Sequence, residues 1–434
     1  MLVGSIRNGA KHLVRADKVK GRYVSPFEQP YLDLPLLEHV NVWRARRKMG
    51  PLKFKNGIDP NTLIKVQKVN KESLTRSDVP HFTWMGHASC YYQSDGIRFI
   101  TDPVFSKRCS PSQLIGPKRV VPTPCCIEDI PIDVVLISHT HYDHLDYNTV
   151  KKIGNKPLWI VPLGVKSWLE KKCNIDNVIE LNWWDSINLS PPEEADSSLS
   201  NSSSSNASSS NTLTTSSTPS STAPSSTSSS VKTSSSFNTL SNITTVTMTP
   251  AKHWTKRTFL DQNKCLWGGF AVKSKSSSWY FSGDTAWDDQ LFKTIGEQLG
   301  PFNLASIGIG CYTPREVMSD SHTSPSEALD IFQQVGAEKM MGMHWGTFKL
   351  ADEANVEPAF DLGIAREDRD LEHDQVFTMG MGETLELTDN FMFGESDVVH
   401  NNPELYNEFK AMNRSEKKVL TTSLIDSPHY SISF

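Results

Sequence analysis

The sequence predicts an α/β fold, an αββα sandwich of two facing sheets with helices outside, broken by a disordered Ser-rich insertion. Three observations predict it. Short apolar runs rich in β-branched and aromatic residues recur along the chain at strand length. Stretches with helical spacing lie between them. From Ser197 to Ser236 the composition changes abruptly: 22 of 40 residues are Ser, none is acidic and only Lys232 is charged. That run has nothing to bury and is expected to be disordered.

In chain order, strands are expected at Ile97–Thr101, Val134–Ser138, Leu158–Val161, Ile243–Thr247, Trp279–Ser282, Ala305–Ile309 and Met340–Met343. Helices are expected at Leu163–Lys172, Gln290–Leu299, Ser324–Val335 and Leu350–Asn355. Ser324-Pro325 ahead of Glu327 is a sound helix opening, with Ser as the cap and Pro in the first turn. Residues 1–78 form a basic amino-terminal arm, with twelve Lys or Arg against four Asp or Glu in residues 1–55. Within it Leu36, Leu37, Val40 and Trp43 fall near helical spacing, followed by Arg44, Arg46, Arg47 and Lys48. Such a segment can lie in a lipid interface, or pack on the core with its charges in water. The first sixteen residues carry Arg7, Lys11 and Arg15 and no acid, which alternatively reads as an organelle-targeting, mitochondrial segment. The insertion, residues 189–242, divides the catalytic domain into 79–188 and 243–390. Beyond about Phe391 periodicity fades, so 391–434 is expected to be a tail. No internal repeat is legible.

The run His139-Thr140-His141-Tyr142-Asp143-His144 crowds four metal-competent side chains into six residues. It follows the apolar run Val134-Val135-Leu136-Ile137-Ser138, so the side chains leave a rigid strand on a tight loop. Imidazole with carboxylate suits zinc, iron or manganese, and the absence of nearby cysteine argues against a closed structural zinc knot. Downstream, His253, Asp284 and His344 each follow a short apolar run, so all can gather at one edge of a sheet. Singly, a His beside a Trp reads as a packed core residue and a Gly-Asp as a turn. Their conjunction with the His-rich run is what points to a metal centre.

This ordered set resembles the metallo-β-lactamase superfamily, whose pattern is H-x-H-x-D-H, then a His, an Asp and a final His. The resemblance implies two zinc ions per subunit, one on His139, His141 and His253, the other on Asp143, His144 and His344, with Asp284 bridging both. Paired divalent cations acidify a shared water and clamp the attacking and leaving oxygens of a phosphoester. A bridging carboxylate neutralises part of their charge, and neutral imidazoles leave enough to stabilise an anionic transition state. Longer stretches narrow the likeness: Thr83-Trp84-Met85-Gly86-His87-Ala88, Thr101-Asp102-Pro103-Val104-Phe105-Ser106, Ser110-Pro111-Ser112-Gln113, Gly116-Pro117-Lys118-Arg119, His253-Trp254-Thr255-Lys256-Arg257-Thr258 and His344-Trp345-Gly346-Thr347-Phe348. These resemble the N-acyl-phosphatidylethanolamine-hydrolysing phospholipase D enzymes over about residues 20–390, apart from the insertion.

That resemblance implies hydrolysis of N-acyl-phosphatidylethanolamine to N-acylethanolamine and phosphatidic acid by a zinc-held hydroxide, with Asp143 and Asp284 as the catalytic carboxylates. It points to Tyr142 and His322 as substrate contacts, against the plainer readings of a packing tyrosine and an exposed loop histidine. It makes Asp102 and His87 supports that orient the ligands, although Asp102 can equally cap a turn before Pro103. The family's members tend to pair, so a homodimer is among the implied assemblies.

Composition bounds these readings. A net charge of −5 over 434 residues gives no general attraction to nucleic acid. Seven cysteines in no framework spacing suit a reducing, intracellular compartment. No stretch approaches the roughly 20 apolar residues of a membrane-spanning helix, so a phospholipid substrate requires a peripheral approach to the membrane. Two other classes compete: a different hydrolase of the same fold, such as a lactonase or nuclease, and a non-catalytic membrane scaffold. A nuclease needs a basic exosite across the fold, and a scaffold would tolerate loss of a ligand, whereas all seven expected ligands are present.

Overall fold

The computed structural model describes residues 1, 3–10, 13–27, 52–76, 78–191, 243–258, 260–388 and 395–412. A small hairpin, β1 (Asp17–Val19) and β2 (Arg22–Val24), precedes the main body. The first half contributes β3 (His81–Gly86), β4 (Ser89–Ser94), β5 (Ile97–Thr101), β6 (Val134–Leu136), β7 (Leu158–Pro162) and β8 (Val178–Leu181). The second half contributes β9 (Ser186–Leu189), β10 (Thr244–Thr249), β11 (Gly269–Lys273), β12 (Ser278–Phe281), β13 (Phe302–Gly308), β14 (Ala337–Met343) and β15 (Val376–Phe377), and β16 (Thr384–Glu386) returns to the first sheet.

Two seven-stranded sheets result, ordered β16-β3-β4-β5-β6-β7-β8 and β9-β10-β11-β12-β13-β14-β15. Each runs antiparallel through its first four strands and parallel through the rest. The two halves therefore share one topology, a repeat that the sequence had not disclosed. Pairing directions depend on where strands dock, and unrelated side chains can satisfy the same pattern.

Strand alternation sends Phe82, Trp84, Val134 and Leu136 into the core between the sheets, and Met85, Tyr91, Val135 and Ile137 to the outer face. Phe82 meets Trp279 across the sandwich with ring centroids 5.8 Å apart. Both faces of β6 are buried, which is why its sequence is continuously apolar. Helices Tyr147–Ile153 and Lys166–Cys173 cover the first sheet, contributing Val150 and Leu169 to its outer core. Helices Asp289–Leu299, Pro325–Val335 and Glu357–Glu367 pack with the second. Ser324 opens Pro325–Val335 with a full capping box to Glu327, as its sequence announces.

The expected strands are all present within a few residues. The additional strands β1, β2, β3, β4, β8, β9, β11, β15 and β16 are short, or carry aromatic and polar residues without a clean alternation. Two expectations are corrected. Leu350–Asn355 is a loop: the Glu353 carboxylate accepts hydrogen bonds from the backbone N–H groups of Cys311 and Thr313, so the segment serves as a tether, and the helix begins at Glu357. Residues 395–412 are no loose tail. Val398–Asn401 is helical, 403–412 is helical, and the Tyr406 and Phe409 rings pack tilted against Phe360.

The amino-terminal arm is described only in part. Val3 and Arg7 bridge to Leu189 and Ser186 of β9, and Arg15 pairs with Asp185 at 2.7 Å. The Leu36–Lys48 segment, the Ser-rich run and residues beyond 412 lie outside the described residues. Because Leu189 pairs with Thr244, the chain between β9 and β10 leaves and re-enters at neighbouring points, and Leu189 itself belongs to a strand.

Candidate metal centre

Six strand ends converge on one edge of the sandwich. His87 follows β3, Asp102 follows β5, and the His139–His144 run follows β6. From the second sheet, His253 follows β10, Asp284 follows β12 and His344 follows β14. The shared topology pairs β3 with β10 and β5 with β12, so His87 and His253, and likewise Asp102 and Asp284, occupy matching positions in the two halves.

The donor atoms form two sets. In the first, His141 Nδ1 lies 2.9 Å from His139 Nε2 and 3.2 Å from His253 Nε2, and Asp284 Oδ2 lies 3.7 and 3.8 Å from the latter two. In the second, His144 Nε2 and His344 Nε2 are 3.2 Å apart and each is 3.5 Å from Asp143 Oδ2. Asp284 also belongs here, with Oδ2 3.1 Å from His144 Nε2 and Oδ1 3.1 Å from His344 Nε2. His87 joins this set through Nε2, 2.9 Å from Asp143 Oδ2. Two nitrogens bound tetrahedrally to one zinc at 2.0–2.1 Å stand about 3.3 Å apart, so these separations fit imidazoles aimed at a common cation. Asp284 Oδ1 is buried with His344 Nε2 beside it, an arrangement that one cation between them would also satisfy.

The outer nitrogens are held in turn. His139 Nδ1 lies 2.9 Å from Ser138 Oγ, and the His253 ring sets Nδ1 2.8 Å from the Ser321 carbonyl. His144 Nδ1 sits 2.8 Å from Asp102 Oδ2, and Asp102 also accepts from the Ser138 N–H at 2.7 Å and from its hydroxyl. Such contacts fix ring orientation. Asp102 thus faces inward onto the cluster and caps no turn before Pro103. Ser138 and Ser321 carry no sequence signal beyond adjacency to His139 and His322.

Burial, together with neighbouring imidazoles, keeps His139 well below its ordinary pKa and brings His141 down to about 3 and His253 to about 4. The three imidazoles of the first set are therefore neutral and free to donate lone pairs. In the second, burial opposes protonation, but the carboxylates of Asp284 and Asp143 outweigh it and raise His144 strongly and His344 to about 9. The pair of carboxylates is likewise kept ionised by His144 and His344 despite burial. A concentration of negative charge that holds protons on its histidines is one that a divalent cation would displace them from.

His322 lies at the rim, with Nδ1 3.9 Å from Asp284 Oδ2 and its ring 5.2 Å from that of His253. Tyr142 is half-buried: its hydroxyl donates to the Arg257 carbonyl at 2.8 Å and its ring lies under the Arg257 guanidinium. The geometry thus brings His322 to the cluster and commits the Tyr142 hydroxyl to the neighbouring loop. Arg257 also donates to the carbonyls of Thr140 and Leu145, clamping the His-rich loop from outside, a role that sequence reading missed.

A family model described as the beta-lactamase superfamily domain matches residues 97–218 and 207–345. The chain is 36% identical over 317 residues to N-acyl-phosphatidylethanolamine-hydrolyzing phospholipase D 1 of Caenorhabditis elegans, covering 71% of this chain and 76% of that protein. It is 32% identical over 290 residues to the mitochondrial N-acyl-phosphatidylethanolamine-hydrolyzing phospholipase D of Saccharomyces cerevisiae, covering 66% of this chain and 51% of that protein. Among solved structures, an isothiocyanate hydrolase from Delia radicum gut bacteria superposes with a TM-score of 0.46 at 16% identity, over 70% of this chain and 97% of its own.

Proposed function

Because the chain belongs to the beta-lactamase superfamily and, within it, to the N-acyl-phosphatidylethanolamine-hydrolysing phospholipase D family, we propose that it hydrolyses N-acyl-phosphatidylethanolamine to N-acylethanolamine and phosphatidic acid with two zinc ions. Membership of this hydrolase superfamily makes the chain an enzyme whose chemistry depends on metal. The observation that carries the dinuclear reading is Asp284, whose carboxylate touches both donor sets, at 3.7–3.8 Å from His139 and His253 and 3.1 Å from His144 and His344.

In this reading His139, His141 and His253 would hold one ion and Asp143, His144 and His344 the other, with Asp284 within reach of both sets. When bound, the metals acidify a water and supply positive charge to the phosphoryl oxygens. The residues do the rest. Neutral imidazoles would leave that charge largely uncompensated, and the Asp143 and Asp284 carboxylates would offset part of it. Asp102 and Ser138 hold the rings of His144 and His139 in register. His322 is assigned the polar contact to the phosphate, supported by its position over Asp284. One water is consumed, the bond from phosphorus to the ethanolamine oxygen breaks, and that oxygen leaves with a proton. His87 is assigned a larger part than orientation alone, since its Nε2 stands among the donor atoms of the second set.

A phospholipid must be drawn from a membrane surface. No helix among the described residues is long and apolar enough to cross a bilayer, so a peripheral approach is part of the proposal.

The test is incubation of the purified, zinc-loaded chain with N-palmitoyl-phosphatidylethanolamine in detergent, with N-palmitoylethanolamine measured by mass spectrometry. Asp284→Asn should lower turnover by about a thousandfold and lower the zinc content per chain. A folded, metal-replete parent that releases no product would overturn the substrate assignment.

A further inference from the structure

Adjacent large apolar side chains seldom stand in water without a purpose, and Leu114 and Ile115 are neighbours in the chain. The three most exposed among the described residues are Leu114 at 86%, Leu260 at 76% and Ile115 at 71%. They sit on two loops, residues 106–119 and 252–264, residue 259 of the second lying outside the described residues. These loops together hold eight Lys or Arg (Lys107, Arg108, Lys118, Arg119; Lys252, Lys256, Arg257, Lys264) against one acid, Asp261, in a chain whose net charge is −5.

Both loops are fastened to the donor-bearing segment. The Ser106 N–H donates to Asp146 Oδ2 at 2.9 Å, immediately after the His-rich run. On the other loop, Arg257 Nη1 donates to the Thr140 and Leu145 carbonyls at 2.9 and 2.8 Å, and the Thr140 N–H donates to Thr255 Oγ1 at 3.1 Å. The loops are also braced internally. Gln113 Nε2 donates to the Arg108 carbonyl at 2.9 Å, and the Arg119 N–H to the Lys107 carbonyl at 2.9 Å. Asp261 accepts from the N–H groups of Arg257 and Thr258 at 2.9 and 2.7 Å, and Arg22 of β2 donates to the carbonyls of Leu260 and Gln262. The apolar tips are therefore held outward by hydrogen-bonded scaffolds. Arg119 and Arg257 are used internally, donating to carbonyls of Val104 and Thr140, while Lys107, Lys118 and Lys264 face solvent.

We propose that loops 106–119 and 252–264 dock the enzyme onto an anionic phospholipid surface, with Leu114, Ile115 and Leu260 entering the interface and the outward lysines meeting the headgroups. Exposed apolar side chains on loops that also carry outward lysines suit this partner, because the apolar tips gain from leaving water and the cations gain from the negative surface potential. The arrangement brings the donor cluster against the layer that holds a phospholipid substrate, and to that extent rests on the proposed function.

The full chain is incubated with vesicles of phosphatidylcholine alone and of phosphatidylcholine with phosphatidylserine, and binding is read by co-sedimentation. Leu114→Asp with Ile115→Asp, and separately Leu260→Asp, should weaken binding about tenfold or more. Lys107→Ser with Lys118→Ser should erase the preference for the anionic vesicles and its sensitivity to salt. Every variant should hydrolyse substrate in detergent micelles at the parent rate, which also reports correct folding. Parent-like vesicle binding by the apolar variants overturns the proposal. So does a shift of the variants from dimer to monomer in sedimentation velocity with vesicle binding intact, since the patch would then be a contact between copies. If the parent binds vesicles through these loops but releases no N-acylethanolamine, the docking surface stands and the substrate assignment fails.

Discussion

His87, Asp102 and His344 have backbone φ values of 55°, 36° and 65°, in the left-handed region that side chains other than glycine's rarely adopt. Each costs of order 1 kcal/mol or more, and each is repaid by contacts in the cluster. The His344 N–H donates to the His87 carbonyl at 3.1 Å, so two strained turns hold each other. Asp102 receives three donors, two from Ser138 and one from His144. Gly283 shows the opposite case: at φ 59° a Cβ would fall 2.7 Å from the Gly268 carbonyl oxygen and 2.9 Å from Ser138 Cβ, so the residue before Asp284 must be glycine. Asp102→Asn tests this scaffold. Its amide would present N–H to His144 Nδ1–H or lose the Ser138 donors, letting the imidazole turn. Zinc affinity, measured by competition with a chromophoric chelator, should drop about 10- to 100-fold with the far-UV spectrum unchanged. Unchanged affinity would reduce Asp102 to a piece of turn structure.

At the scale of elements, the helix Glu357–Glu367 shows how packing overrides local signals. Phe360 and Leu362 bury against the second sheet and the 403–412 helix, and the Glu357 carboxylate accepts from the Ala354 N–H at 2.7 Å. Burial, with Asp361 and Glu353 nearby, raises Glu357 from 4.5 to about 7. Between those values the folded chain keeps a proton that the unfolded chain has lost. Stability from this group is therefore full below pH 4.5, declines as pH rises, and is gone above about 7. Glu357→Gln stays neutral and keeps an acceptor for Ala354. It should exceed the parent by about 1–2 kcal/mol at pH 8, the partial exposure of the site tempering the effect, with the advantage shrinking toward pH 5. Urea unfolding at the two pH values checks it, and an equal advantage at both would refute the assignment.

For the whole molecule, the topology repeats across the two sheets, and the donor cluster forms where both copies end. The connection between β9 and β10 is an antiparallel hairpin loop, since Leu189 faces Thr244. A long connection at such a point leaves the sandwich intact, because loop entropy grows only with the logarithm of length. Replacing residues 192–242 by a short Gly-Ser turn should therefore leave kcat/KM within about twofold and raise stability by about 1–2 kcal/mol. A large loss of activity in detergent would instead give the insertion a part in the reaction.

The sequence alone determined the local elements and the chemistry of the donors. The apolar run of β6, the Ser324–Glu327 cap and the His-rich loop were legible because strand burial, helix capping and metal ligation each act through residues close in the chain. The order of His253, Asp284 and His344 carried the family likeness for the same reason: each sits at the end of its own strand. Tertiary structure alone decided what depends on distant segments meeting. It put His87 among the donors, turned Asp102 inward, committed the Tyr142 hydroxyl to the Arg257 carbonyl, recruited Ser138 and Ser321, and replaced the expected Leu350–Asn355 helix by a tether. It also folded 395–412 onto Phe360 and made the two halves alike. These outcomes follow from which buried groups find partners once the sheets close, and no window of sequence holds both partners.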